Sequence, residues 1–441
     1  MAVALRWTED MNREDAERTP PRVDLSASPL FRCFGLIAVL VYVDWFNVLS
    51  VSTLDLQSQL KYVYFAVVAS AYAYTLLTTR RLRFGLDGPT ILALFSICSI
   101  TALVLQAAGP EKNDSYAAAF LATLVISTAG LYNINKYGFS RAKLIDVTAR
   151  TVLLMSMLYV AELAFRMFSE LEYFQTVENM ENHIKSFILV AGVCLAVLRR
   201  SQRGLLIGLA LLALSQALRP SSTSLFTLAC VLPIAVLIAR GRLRMAKLAV
   251  YTSLLVAPIV PVALHLSPDL KEIVTSAEAW AKEDVLSGTS NTFFRLAIQD
   301  LAIDRLQETS LAFGVMFSES NSVQLSNQFA WWLEKFREGR AAIHSDYVSI
   351  LLQSGIVGYV LFTVALLSLC RYMFKGLAMR SADETARCLP AFSICCIVLI
   401  VIYCSTNPFL QYWGVSHVAW LGVAIGYLDV TWSLRRRAIR A

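Results

Sequence analysis

Apolar residues run through this chain in long blocks, at about 31–51, 60–79, 89–109, 115–134, 147–168, 184–198, 204–218, 222–239, 246–266, 346–370, 389–406 and 412–430. Each block approaches the ~20 residues that a membrane-crossing helix needs. The pattern predicts an all-α fold: a polytopic membrane helical bundle of about twelve transmembrane helices. The blocks at 184–198 and 204–218 are short and are separated by Arg199, Arg200 and Arg203. They fit either one interrupted hairpin or two spans, and two spans agree better with the charges that follow.

The longest polar stretch lies between the ninth and tenth blocks. It is patterned: residues 292–306 set Phe294, Ile298, Leu301 and Ala302 at helical spacing, and residues 325–337 carry Phe329, Trp331, Trp332, Leu333 and Phe336. Both predict short helices that lie on the membrane surface or cap the bundle, where aromatic rings suit the interface. The expected organisation is a polar N-terminal tail (1–29), helices one to nine (30–266), a large outer loop with amphipathic helices (267–342), helices ten to twelve (343–430) and a basic tail (431–441).

Composition agrees with a membrane class. Of the 441 residues 57% are hydrophobic and 16% charged, too little polar surface for a soluble protein of this size. The net charge of +7 raises nucleic-acid binding as a possibility, but the cations cluster between apolar blocks, where topology explains them. Alternate loops are basic: Arg80/Arg81/Arg83, Lys136/Arg141/Lys143, Arg199/Arg200/Arg203, Arg240/Arg242/Arg244/Lys247, Arg371/Lys375/Arg380/Arg387 and the tail Arg435/Arg436/Arg437/Arg440. The intervening short loops carry few cations, namely Lys61, Lys112, Lys185 and Arg219. The alternation predicts both termini in the cytoplasm and the segment 267–342 outside. No cysteine falls in that segment, so it needs no disulfide in an oxidising compartment.

Four features can carry chemistry. His344 stands just before the tenth block, in Ile343-His344-Ser345-Asp346-Tyr347; a helix cap by Ser345 or Asp346 is the plain explanation of that stretch. Arg219 sits in a minimal outer turn, Leu218-Arg219-Pro220-Ser221-Ser222-Thr223, beside the start of the eighth block. It reads either as a diphosphate clamp or as an arginine snorkelling to lipid phosphate. Arg295 lies in the outer loop, where a solvated face is the simpler reading. Glu162 and Arg166, four apart in the fifth block, can pair on one helix face, whereas Asp44 in the first has no obvious partner. His183, His265 and His417 read as interfacial or helix–helix polar groups.

Taken together, these patches resemble the O-antigen ligase and polysaccharide polymerase superfamily of bacterial inner-membrane proteins. The likeness covers most of the chain as topology and rests on three short patches as sequence. The first, His344-Ser345-Asp346-Tyr347 through Gly355-Ile356-Val357-Gly358, is similar to the family's His-Asn-x-x-Leu run ending in Gly-hydrophobic-hydrophobic-Gly. The second, Arg219-Pro220-Ser221-Ser222-Thr223-Ser224-Leu225, resembles its Ser-Arg-(Ser/Thr)-small turn in altered order. The third is Phe294-Arg295 followed by Gly314-Val315. Ser345 stands where ligases often carry Asn, Gln353 where Glu is common, and Pro220 directly follows the arginine; the first two favour the polymerase branch.

The resemblance implies transfer of glycan repeat units from a polyprenyl-diphosphate carrier to an acceptor sugar hydroxyl on the periplasmic face. It implies a metal-independent, inverting glycosyltransferase of the inner membrane that needs no cofactor and binds no nucleic acid. His344 is then the general base. Arg219 and Arg295 contact the diphosphate or glycan, and Asp346 lies beside them as a residue that orients His344 or touches substrate. A flippase and a chain-length regulator are the implied protein partners. An O-antigen ligase acting on lipid A core is the alternative within the enzymes, and a lipid-linked oligosaccharide flippase is the alternative among transporters. Ser354 and Gly358 read as a small-x-x-x-small pair that lets the tenth helix pack closely.

Overall fold

The computed structural model describes residues 140–168, 185–265, 288–316, 322–324, 340–343, 345–379, 384–407, 409–410 and 413–440. The first four expected spans, the N-terminal tail, the aromatic-rich 325–337 and His344 lie outside the described residues. Within them the chain is helical apart from one short ribbon. The helices are α1 (Arg141–Phe168), α2 (Phe187–Leu198), α3 (Gln202–Leu218), α4 (Ser222–Ala239), α5 (Leu243–His265), α6 (Gly288–Gln307), α7 (Asp346–Ala378), α8 (Glu384–Thr406) and α9 (Trp413–Arg440). Strands β1 (Ser322–Gln324) and β2 (Arg340–Ala342) pair antiparallel, with Val323 opposite Ala341. A helix stands at each of the eight apolar blocks from 147 onward. Five have the length and hydropathy to cross a membrane: α1, α4, α5, α7 and α8. The described residues therefore form a helical membrane protein.

α8 is the axis of the bundle. Its apolar window is 94% buried, as expected of a helix that is hydrophobic on every side. α9 lies against it at close range because its glycines leave room: a Cβ at Gly426 would fall 2.1 Å from Ser393 Oγ. Ser393 Oγ uses the gap, donating to Gly422 O at 2.6 Å and accepting the Gly426 N–H at 3.0 Å. α2 and α3 form a tight hairpin turned by Arg199–Ser201, with Ser201 capping α3. The two short apolar blocks are thus two helices.

Carbonyls around the prolines of α5 accept bonds from neighbouring helices. Pro261 lacks the N–H that would bond Ala257 O; Ser405 Oγ donates there at 3.0 Å, and the Tyr359 hydroxyl donates to Pro258 O. These bonds set residues 257, 359 and 405 at one level.

α7 departs most from expectation. It is 33 residues long, about 50 Å if straight and far more than a bilayer core of ~30 Å requires. It is not straight: Gly355 has φ 61° and ψ −167°, a conformation essentially reserved for glycine. Residues 346–354 form a half-helix, α7a, and residues 356–378 a second, α7b. The two fold back on each other. The Tyr347 ring lies 6.0 Å from that of Tyr359 and 6.1 Å from that of Phe362, although in a continuous helix those residues would stand about 18 and 22 Å apart along the axis. Ser354 and Gly358 therefore flank a break. They do not form the packing pair that the sequence suggested, and Ser354 Oγ instead bonds Ile350 O at 2.7 Å.

The broken ends are closed by the segment after α6. Val315 N–H donates to Leu352 O at 2.9 Å, Ile356 N–H to Leu311 O at 3.0 Å and Val357 N–H to Ala312 O at 3.1 Å. Leu352 O, near the end of α7a, and the first two donors of α7b are paired this way, as buried backbone requires.

Candidate functional site

Helix direction sorts the polar residues to two ends of the bundle. At one end the basic turns converge: Arg141 pairs with Asp429 at 2.9 Å, Arg199 approaches Asp146 at 3.6 Å, Arg200 donates to Ala239 O, and Arg387 lies against Gly241. The other end gathers the starts of α2, α4 and α7a with the end of α8, and it holds the candidate site.

α7a is pinned there from both sides. Its Tyr347 and Ile350 join the main core, while Val348, Leu351 and Leu352 join a second cluster with Ile298, Ala302, Ile303 and Leu306 of α6. Residues 345–353 are all buried as a result. Ser345 is the N-cap; its hydroxyl accepts from Val348 N–H and donates to Cys404 O at 3.2 Å. Asp346 turns away from its own helix: Oδ2 accepts the Leu410 N–H at 2.6 Å, and Oδ1 has no hydrogen-bond partner among the described residues. Of the two expected cap residues Ser345 makes the cap, which frees Asp346 to fasten the α8–α9 connection. His344 lies outside the described residues, but the chain is fully buried on each side of it, at Ile343 and at Ser345.

A chain of buried hydroxyls continues from this point. Tyr403 OH lies 3.0 Å from Ser186 Oγ, Ser186 Oγ 2.5 Å from Ser224 Oγ, and Ser224 Oγ donates to Ser221 Oγ at 2.9 Å. Ser221 is the N-cap of α4, and its own N–H donates to Gln216 Oε1 at 2.8 Å. Two residues earlier, Arg219 is the C-cap of α3 and half-exposed. Arg219 and Asp346 therefore occupy the same end, joined through α2, α4 and α8. Arg295 comes from α6, three residues before Ile298 of the second cluster, and is half-buried.

Beside the hydroxyls lies an ion pair that sequence spacing did not suggest. Glu162 Oε1 bonds Lys185 Nζ at 2.9 Å, with side chains 1% and 5% exposed. The sequence suggested Arg166, on the same helix, whose side chain lies outside the described residues. The Lys185 contact follows from antiparallel geometry: Glu162 lies near the end of α1, and Lys185 just before α2. The hydroxyl chain was missed for a similar reason. Ser186, Ser221 and Ser224 read singly as turn or cap residues, and Tyr403 as one more aromatic in an apolar block.

The end thus offers two carboxylates, an ammonium, a row of hydroxyls and a half-exposed arginine around a folded-back half-helix. No family model matches the chain, and no curated protein matches it.

Proposed function

We propose that the chain is a membrane glycan polymerase, transferring repeat units from a polyprenyl-diphosphate carrier to a sugar hydroxyl. The observation that carries this reading is the anchoring around His344: the neighbouring Ile343 and Ser345 are fully buried, and Asp346 ties the next residue to Leu410 at the end that also holds Arg219. A base must be held in place to accept a proton during attack, and this backbone is fixed on both sides of the candidate base. In a twelve-span arrangement with both termini cytoplasmic, this end faces the periplasm.

The chemistry needs few groups. His344 accepts the acceptor hydroxyl's proton as that oxygen attacks the anomeric carbon. The bond to the diphosphate oxygen breaks, and the leaving diphosphate carries the charge away against Arg219 and Arg295. Attack opposite the leaving group inverts the anomeric centre.

The test is conversion of a polyprenyl-diphosphate oligosaccharide to a longer product by the purified chain in detergent. Wild type should elongate the substrate, and His344→Ala should lose at least a hundredfold while still inserting into membranes. Full activity of His344→Ala, or no elongation by wild type, overturns the reading. A ligase would instead move preformed chains to lipid A core.

A transporter is the second reading, because broken helices build the sites of many transporters and α7 is broken. A transporter cannot lengthen a glycan in detergent, where no compartments exist.

A further inference from the structure

The turn that closes the α7 break presents apolar side chains outward. In Ser310-Leu311-Ala312-Phe313-Gly314-Val315-Met316, Leu311 is 55% exposed, Phe313 54% and Met316 69%. Val315 and Gly314 face inward, onto Leu352. The turn has no freedom to withdraw these side chains. It is closed by Gly314 N–H to Ser310 O at 2.6 Å, and it is zipped to α7 by the three backbone bonds at Leu311, Ala312 and Val315. Both contact glycines have φ near +61°, and a Cβ on either would enter the other strand of the contact.

The exposed face does not stop at the turn. Ile356, Val357, Val360, Leu361 and Val364 continue it along α7b, the one-sided apolar stripe of a helix that can cross a membrane. α7b alone gives roughly 34 Å of helix, enough for the hydrocarbon core. Its first donors bond the turn, so the turn stands at the depth where α7b begins. A row of large apolar groups at that depth, continuous with a membrane-facing stripe and fixed by backbone bonds, fits acyl chains better than water.

We infer that residues 310–316 form a membrane-seated turn, with Leu311, Phe313 and Met316 among the lipid acyl chains of the leaflet where α7b starts. Part of the segment between α6 and α7, polar by sequence, thus belongs to the bilayer. The lipid holds the turn against α7, and the turn holds the bend that buries Ser345 and Asp346.

The test uses the full chain in vesicles of mixed phosphatidylcholine and phosphatidylglycerol. Leu311→Cys, Phe313→Cys and Met316→Cys each receive a nitroxide, beside Glu308→Cys as an exposed charged reference and Val360→Cys as the membrane-facing reference. Labelled wild type supplies the blank for native cysteines. Relaxation by oxygen, which concentrates in lipid, is compared with relaxation by a water-soluble nickel chelate. The expected oxygen-to-nickel ratio at 311, 313 and 316 is several-fold above that at 308 and close to that at 360. A ratio equal to that at 308 places the turn in water and overturns the inference. Protection from both reagents also overturns it. Spin–spin broadening that fades on dilution with unlabelled chain would then identify a second copy as the cover, and its absence would identify another segment of this chain. The three sites are exposed, so their variants should melt with wild type; a site that does not is judged by the other two.

Discussion

Substituting Gly355 by alanine tests the folded-back helix directly. The residue has φ 61° and ψ −167°, where a side chain costs on the order of 1–3 kcal/mol in backbone strain. The new Cβ would also lie 2.3 Å from Ala312 C and O and 2.4 Å from Phe313 N. Those are backbone atoms and cannot rotate away. Relief requires the turn to separate from α7, which breaks the bonds at Val315, Ile356 and Val357. Each contributes about 1 kcal/mol net, and more where a group stays buried and unpaired. The total is about 4–6 kcal/mol, a large share of a stability of ~5–15 kcal/mol. Gly192→Ala is the matched control: its Cβ would meet Val152 Cγ1 at 3.4 Å and Ser156 Oγ at 3.6 Å, ordinary contacts between α2 and α1. By helix propensity that change is neutral or favourable by up to ~1 kcal/mol. In detergent, thermal unfolding of Gly355→Ala should fall by roughly 5–10 °C while Gly192→Ala stays near wild type. Gly314→Ala should behave like Gly355→Ala, and the double variant should cost clearly less than the sum, because either change opens the same contact. A Gly355→Ala protein that melts with wild type, or strict additivity with Gly314→Ala, would refute the bend.

The ion pair gives a second expectation. Lys185→Met leaves the Glu162 carboxylate buried and should destabilise by about 3–5 kcal/mol, whereas Lys185→Met with Glu162→Leu should recover most of the loss in chemical-denaturation midpoints. For Asp346, alanine removes the acceptor of the Leu410 N–H and should cost about 1–3 kcal/mol, while asparagine keeps an acceptor and should cost less; equal melting of the two variants would show that the bond contributes nothing. Arg219→Lys keeps the charge but loses the planar fork. Under the glycan-transfer reading, elongation should drop at least tenfold with folding unchanged, and wild-type rates would reduce Arg219 to a membrane anchor.

The helices were legible because their signal is local and repeated. Each apolar block from 147 onward marks a helix, and the Arg199-Arg200-Ser201 interruption marks a real turn. The basic turns 199–203 and 240–244 meet at one end, as alternating charge predicts for antiparallel neighbours. The bend in α7 was hidden. Gly355 sits in an unbroken apolar block, and hydropathy registers its side chain without its φ. What forces the break is Gly314, forty-one residues upstream, and only tertiary contact joins the two. The partner of Glu162 was hidden for the same reason: spacing on one helix exposes i, i+4 neighbours and not the residue across a hairpin. The hydroxyl chain draws on three separate helices, so no window of the sequence contains it.

The position of the break bears on which functional reading is stronger. Transporters that use broken helices place the break near mid-membrane, where unwound backbone coordinates the cargo. In this chain α7b by itself is long enough to cross, and Tyr359, four residues past Gly355, is level with Ser405 at the end of α8. The break therefore falls at one boundary of the bundle. Three of its freed backbone groups, Leu352 O and the N–H groups of Ile356 and Val357, are already taken by Val315, Leu311 and Ala312 and are closed to a passing solute. The folding-back instead carries a helix start, with Ser345 and Asp346, into the end of the bundle, where α7a packs between α8 and α6. A reaction at one face needs that arrangement, and alternating access does not. The consequence is measurable: cross-linking α7a to the turn after α6 through cysteines at 315 and 352, where Val315 N–H bonds Leu352 O at 2.9 Å, should leave glycan elongation in detergent within about twofold of the reduced protein. A transport cycle that moves α7a would stop under the same link, and loss of elongation on cross-linking with full recovery on reduction would count against a static site.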